Sequence, residues 1–218
     1  MSPRSFLLDD SLWRYVVDHS HAPDPVLAGL TERTEALGAV AGMQIGPDQA
    51  AWLTMVTRFA DVTQAIEVGT FTGTSALCVA RGMAPGGRLI ACDVSEEWTA
   101  IARRAWAEAG VEDRIDLRIG PALDTLQALP PDPVVDLAFV DADKGGYLAY
   151  YEELVPRLRP GGWIVADNTL WGGAIVDTSR SDADTESLRA YNDRAATDDR
   201  VTTVLLAVAD GLTISQRR

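Results

Sequence analysis

Lysine is almost missing from this sequence: of its 19 basic residues only Lys144 is a lysine, and the others are arginines. Basic charge as a whole is also short, since 32 acidic residues leave a formal net charge of -13 and a pI near 4.5. A nucleic-acid surface needs clustered cations that displace counterions, so no nucleic-acid partner is expected. Cysteine is scarce too. Cys78 and Cys92 sit inside the apolar stretches SALCVA and RLIACDV, without CxxC or Cys/His spacing. That pattern gives no disulfide framework or zinc site and fits reduced core residues of a cytoplasmic protein. No apolar run approaches the roughly 20 residues of a membrane span. The first residues, MSPRSFLLDDSLWRYVVDHS, carry acidic groups and no signal-length apolar core, so neither export nor a membrane partner is expected. The two histidines, His19 and His21, fall in this N-terminal region and are expected to face solvent.

What remains is ample for folding. The 218 residues are 47% hydrophobic, enough to bury a core without cross-links, and no repeat or linker divides them. From about residue 64 onward, short apolar runs alternate with longer segments of helical periodicity. QAIEVG (64–69), GRLIACDV (87–94), RIDLRIG (114–120), VVDLAFVDA (134–142) and GGWIVAD (161–167) read as buried parallel strands. TSALCVARGM, EEWTAIARRAWAEAG, ALDTLQAL and GGYLAYYEELVPRLRP read as the crossover helices, ended by Gly82, Gly110 or Pro160. After the helical SLRAYNDRAAT, the runs RVTTVLLAV and LTISQR lie three residues apart, across Ala209-Asp210-Gly211, which predicts an antiparallel hairpin. The expected fold is a Rossmann-like α/β domain spanning 1–218. It has a seven-stranded, mostly parallel sheet over 64–218, a C-terminal antiparallel hairpin and a helical addition over 1–60.

Open α/β sheets bind ligands beyond the carboxyl ends of their strands. The first strand ends in Glu67-Val68-Gly69-Thr70-Phe71-Thr72-Gly73-Thr74-Ser75, whose glycines are four apart rather than in G-x-G-x-x-G spacing. Without that spacing, and with Glu67 placing a negative charge there, a dinucleotide pyrophosphate is disfavoured. A cationic, phosphate-free nucleoside such as S-adenosylmethionine suits the loop, with Asp93, 24 residues after Gly69, placed to accept from ribose hydroxyls. The alternative reading is a tight strand-to-helix turn with no ligand. The fourth strand closes in Asp141-Ala142-Asp143-Lys144 and the fifth in Asp167-Asn168. On adjacent strands, Asp141, Asp167 and Asn168 form an all-oxygen set suited to Mg²⁺, with Mn²⁺ or Ca²⁺ as substitutes. Taken singly, each is as well read as a helix cap or turn residue. Lys144 follows directly. Arginine cannot give up its proton, whereas a lysine beside a metal cation can serve as a neutral base.

The segments EVGTFTGTSA, ACDVSEEW, GPALDTL, FVDADKGGY, LRPGGWIVADNTLWGG and DGLTISQRR together resemble the cation-dependent O-methyltransferases, the family of caffeoyl-CoA and catechol O-methyltransferases. The likeness is to bacterial members and runs from about Met43 to the C-terminus. It implies S-adenosylmethionine held by Glu67, Gly69, Thr70, Ser75 and Asp93, with Ala122 and Asp143 near the adenine and Met43 and Ile45 over the methionine part. It also implies a divalent cation on Asp141, Asp167 and Asn168, Lys144 as the base, and a homodimer. Two positions depart from the family pattern: Thr74 replaces a tyrosine in the glycine loop, and Gly172 stands where plant caffeoyl-CoA enzymes carry a substrate-contacting asparagine. Gly172, with Gly145-Gly146 after the lysine, counts against the plant substrate.

The expected activity is therefore methyl transfer to one hydroxyl of a catechol-like small aromatic molecule. Lys144 contacts that substrate, and Trp171 and Trp163 are candidates to flank its ring. Three other readings compete: a metal-independent methyltransferase for a carboxylate or amine, an NAD-dependent dehydrogenase, and a binding module without catalysis.

Overall fold

Runs rich in Val, Ile, Leu and Ala become parallel strands because helices cover both their faces. The computed structural model describes residues 6–218, so residues 1–5 of the expected N-terminal addition lie outside the described residues. Helices α1 (Asp10–Asp18), α2 (Pro25–Glu35) and α3 (Pro47–Phe59) precede the sheet. Then β1 (Gln64–Val68), β2 (Arg88–Asp93), β3 (Ile115–Ile119), β4 (Val135–Val140) and β5 (Leu158–Ala166) alternate with four helices. These are α4 (Thr74–Gly82), α5 (Glu96–Glu108), α6 (Ala122–Ala128) and α7 (Tyr147–Arg157). Helix α8 (Ala183–Thr197) leads into the terminal pair β6 (Val201–Leu206) and β7 (Leu212–Arg217).

The sheet order is β3-β2-β1-β4-β5-β7-β6, with β1 to β5 parallel and β7 antiparallel to both neighbours. This is the expected Rossmann-like arrangement. One core lies under α2 to α5, around Leu30, Leu53, Leu77 and Trp106. The other lies under α6 to α8, around Leu126, Leu154, Leu188 and Tyr191. Each such side chain, fully buried, contributes about 1.5–3 kcal/mol.

Register places the chemistry. Val68 pairs with both Cys92 and Val140, and Val140 pairs with Ala166. One residue further along each strand, Gly69, Asp93, Asp141 and Asp167 therefore emerge on one level. The strand order reverses between β1 and β4, and the crevice opens at that switch.

Two boundaries differ from expectation. The fifth strand begins at Leu158 rather than Gly161, because α7 stops at Arg157 and the Leu-Arg-Pro-Gly-Gly stretch joins the sheet as an irregular start. Register shifts between Val135 and Leu137, Gly161 takes a positive φ of 80°, and a Cβ on Gly162 would lie 2.6 Å from the Val135 carbonyl oxygen. The terminal hairpin has a longer connection than three residues. Strand β6 stops at Leu206, because Ala209 and Gly211 adopt left-handed backbone (φ 49° and 92°) and turn the chain toward Thr169 and Leu170.

Candidate active site

The glycine loop between β1 and α4 is folded around a carboxylate. Asp93 Oδ2 accepts from the backbone N–H groups of Thr70 (3.0 Å) and Phe71 (2.7 Å), and Oδ1 accepts from Ser95 N–H (2.8 Å). Gly69, at φ 89°, runs against the Asp141 backbone, where a Cβ would collide with the carbonyl. Gly73, at φ 87°, has Trp106 Nε1 2.8 Å from where a Cβ would sit, and the indole donates to the Gly73 carbonyl at 3.1 Å. Both glycines are thus required by left-handed geometry and close packing. Beneath the loop lies Glu67, fully buried, with Oε2 accepting from the Thr70 hydroxyl at 2.9 Å. Burial pushes its carboxyl up to about 8. Among the described residues Glu67 Oε1 has no partner, and neither has the buried Thr74 hydroxyl that lines the cavity above.

The second cluster spans the ends of β4 and β5. Lys144, on a 3-10 turn ahead of α7, places its Nζ 3.1 Å from Asp141 Oδ1, 2.7 Å from Asn168 Oδ1 and 2.7 Å from the Tyr147 hydroxyl. Tyr147 in turn donates to the Asp167 carbonyl at 3.0 Å. Asp167 is 2% exposed, with Oδ1 accepting from Asn168 N–H (2.7 Å) and Oδ2 from Gln49 Nε2 (2.7 Å). Burial, and then the charge of Asp141, push Asp167 well above the usual carboxylate range. Asn168 takes a left-handed φ of 58°, which asparagine tolerates, and this turns its amide back toward Lys144. Among the described residues no three His, Cys, Asp or Glu side chains cluster as a metal site. The oxygen set here is two carboxylates and one amide, and two of its members, Asp141 and Asn168, accept from Lys144 Nζ.

Both clusters open into one cavity of about 960 Å³. Met43, Ile45, Gly69, Thr70, Ser75, Asp93, Ala122 and Asp143 line one side. Asp141, Lys144, Asp167, Asn168 and Trp171 line the other. Glu67 lies behind the wall rather than in it. Asp143 also accepts from the Tyr150 hydroxyl at 2.6 Å, which fixes its carboxylate. Trp163 does not reach the cavity. It lies in mid-strand of β5, opposite Leu137 and Gln216, and packs on the core, so its reading as a ring-flanking residue is corrected.

Sequence reasoning missed several lining residues. Gln49 comes from α3, far from either motif. Asp210, at the hairpin turn, accepts from Gly172 N–H at 2.6 Å. Trp98 meets Phe71 edge-on at 5.1 Å, and Phe6 lies 3.5 Å from a Cβ position on Gly173. Trp98 sits five residues past Asp93 and was within reach of a strand-end reading; Phe6 and Gln49 carry no local signal.

Comparisons with known proteins agree with this geometry. A family model described as O-methyltransferase matches residues 17–218. The chain is 36% identical over 210 residues to the probable caffeoyl-CoA O-methyltransferase 2 of Dictyostelium discoideum, covering 94% of this chain and 91% of that protein. It is 36% identical over 232 residues to tricin synthase 1 of Oryza sativa subsp. japonica, covering 98% and 90%. Among solved structures, the O-methyltransferase from Bacillus cereus in complex with SAH superposes with a TM-score of 0.87 at 28% identity, over 95% of this chain and 97% of that one. TomG from Streptomyces achromogenes in complex with SAM gives 0.86 at 27% identity, over 95% and 96%.

Proposed function

This chain belongs to the O-methyltransferase family of the caffeoyl-CoA and catechol type and is an S-adenosylmethionine-dependent enzyme, and on that premise we propose that it methylates one hydroxyl of a vicinal dihydroxy aromatic small molecule with the help of a divalent cation. The observation that carries this reading is the meeting of Asp141, Asp167 and Asn168 at the adjacent ends of β4 and β5, where Lys144 Nζ bonds Asp141 and Asn168, beside the loop held by Asp93.

The residues fit the cofactor. Its amino-acid end carries an ammonium and a carboxylate. Behind the cavity wall, the Glu67 carboxyl with its unpartnered Oε1 places an acidic group toward the first, and Thr74, a lining residue with an unpartnered hydroxyl, offers a donor toward the second. Asp93 keeps acceptor capacity on Oδ1 beyond its three backbone bonds. The residues fit a hard cation as well. Asp141, Asp167 and Asn168 are oxygen donors at adjacent strand ends, the chemistry Mg²⁺ prefers, with Mn²⁺ or Ca²⁺ as substitutes. When bound there, the cation supplies Lewis acidity that lowers the pKa of the reacting hydroxyl.

The chain's own residues do the rest. Lys144 Nζ is the group placed to take the proton of the reacting hydroxyl, and the Tyr147 hydroxyl and Asn168 amide fix its position. Trp171, 5.7 Å from Lys144 Nζ across its ring centroid, forms one wall for the acceptor ring. The cavity holds the two reactants in one orientation away from bulk water. Methyl transfer assayed over a panel of catechols and caffeoyl esters, with Mg²⁺ and with excess EDTA, tests the proposal.

One observation favours a second reading. The 3.1 Å Asp141–Lys144 pair is also a sufficient structural ion pair, as in a metal-independent methyltransferase for a carboxylate or amine. Full turnover in EDTA would establish it. We further infer a cytoplasmic homodimer on family resemblance, testable by sedimentation; no helix among the described residues is long and apolar enough to cross a membrane.

A further inference from the structure

We propose that Gln49 is a positioning residue for the cation site, holding the Asp167 carboxylate in the orientation that a divalent ion requires. The inference rests on the metal reading given above.

Gln49 lies in the first turn of α3, a helix of the N-terminal addition, and 118 positions separate it from Asp167. Its neighbours on the same helix face, Ala50 and Leu53, are buried apolar residues, and an apolar side chain would be the default at 1% exposure. Burying a primary amide there is costly unless its groups are hydrogen-bonded. The bond that compensates it runs from Nε2 to Asp167 Oδ2 at 2.7 Å. Asp167 Oδ1 is held separately by the Asn168 backbone N–H at 2.7 Å. One donor on each oxygen means that the carboxylate cannot rotate about Cβ–Cγ without breaking both bonds. Each oxygen keeps a further lone pair for a ligand.

The residue type matters as much as the contact. A lysine at position 49 would neutralise the charge that is to meet the cation, and a glutamate would repel the carboxylate. An amide donates a hydrogen bond and leaves the full negative charge available. Partners of this kind, behind a ligating carboxylate, change metal affinity by about 10- to 100-fold when removed.

The test uses the full chain saturated with S-adenosylhomocysteine and titrated with MnCl₂ in a calorimeter. Gln49→Met removes the donor at nearly constant volume, and Gln49→Asn keeps the amide but shortens its reach. Both are expected to bind Mn²⁺ at least 10-fold more weakly than the wild type, with S-adenosylhomocysteine affinity within about twofold. In turnover the KM for Mg²⁺ should rise while kcat at saturating Mg²⁺ stays close to wild type, a split that a merely structural role would not produce. Wild-type Mn²⁺ affinity in either variant, with S-adenosylhomocysteine binding intact, overturns the inference alone. No Mn²⁺ binding by the wild-type chain removes the metal reading, and the inference with it.

Discussion

Gly69 and Asp141 touch through their backbones: the first residue past β1 leaves no room for a Cβ because the Asp141 carbonyl occupies it. The glycine loop and the end of β4, which carries the proposed cation ligand Asp141, are thereby set in one frame. Gly69→Ala adds both that collision and a side chain in left-handed backbone, which alone costs roughly 1–2 kcal/mol. For a chain of this size a kcal/mol is worth about 2–4 °C. A Tm lower by about 5 °C or more is expected, with loss of S-adenosylhomocysteine binding; differential scanning fluorimetry and calorimetry read the two effects.

Glu67 gives the cofactor site a pH dependence. Its folded pKa is raised to about 8 by burial, so without a ligand the carboxyl is protonated at neutral pH. A cationic ammonium favours the carboxylate, and binding below pH 8 must then release a proton. Affinity for S-adenosylhomocysteine should rise between pH 6.5 and 8, by up to about tenfold per unit. Calorimetry in two buffers of different ionisation heat counts the proton. Glu67→Gln should bind more weakly and lose the dependence, and an unchanged slope in this variant would assign the proton elsewhere.

Lys144→Arg keeps the positive charge near Asp141 but has no accessible neutral form. A fall in kcat of about 10²- to 10⁴-fold at neutral pH is expected, the usual worth of a positioned base, with cofactor affinity retained. Near-normal turnover would remove lysine as the proton acceptor.

Asp167→Ala takes away a buried carboxylate, the proposed ligand whose charge the cation would balance. The variant should bind S-adenosylhomocysteine but give the same low turnover with Mg²⁺ as with EDTA. A preserved response to Mg²⁺ would move the cation site elsewhere.

Trp163, within β5, and Trp171, five residues past its end, should separate by phenotype. Trp163→Ala removes core packing and should lower Tm while leaving the acceptor KM near wild type. Trp171→Ala should raise the acceptor KM with a smaller effect on Tm, and fluorimetry beside initial rates distinguishes the two.

The strands and their carboxyl ends were legible because parallel strands, buried on both faces, read as unbroken apolar runs that stop where polar residues begin. Asp93, Asp141, Asp167 and Lys144 stand at those stops, so their meeting followed once β1, β2, β4 and β5 were neighbours. The start of β5 was hidden because Leu158-Arg159-Pro160-Gly161-Gly162 carries the punctuation of a helix end, and only its pairing with Val135 makes it strand. Trp163 was misplaced because sequence distance from a strand end does not tell how far a side chain stands below the crevice. Asp93 was read as a ribose acceptor, while its three bonds to backbone N–H groups, which shape the glycine loop, had no sequence signature. Gln49 was invisible for a plainer reason, since its partner lies 118 positions away on another element.

The lone lysine makes the protein its own reporter. Lys144 is the only side-chain primary amine in 218 residues, and its side chain is 9% exposed, packed between Asp141, Tyr147 and Asn168 at the cavity wall. An amine-selective acylating reagent therefore has one side-chain target, whose labelling rate reads out occupancy of the cavity. Mass spectrometry of the labelled peptide could rank acceptor molecules by the protection they confer, without any of them being turned over.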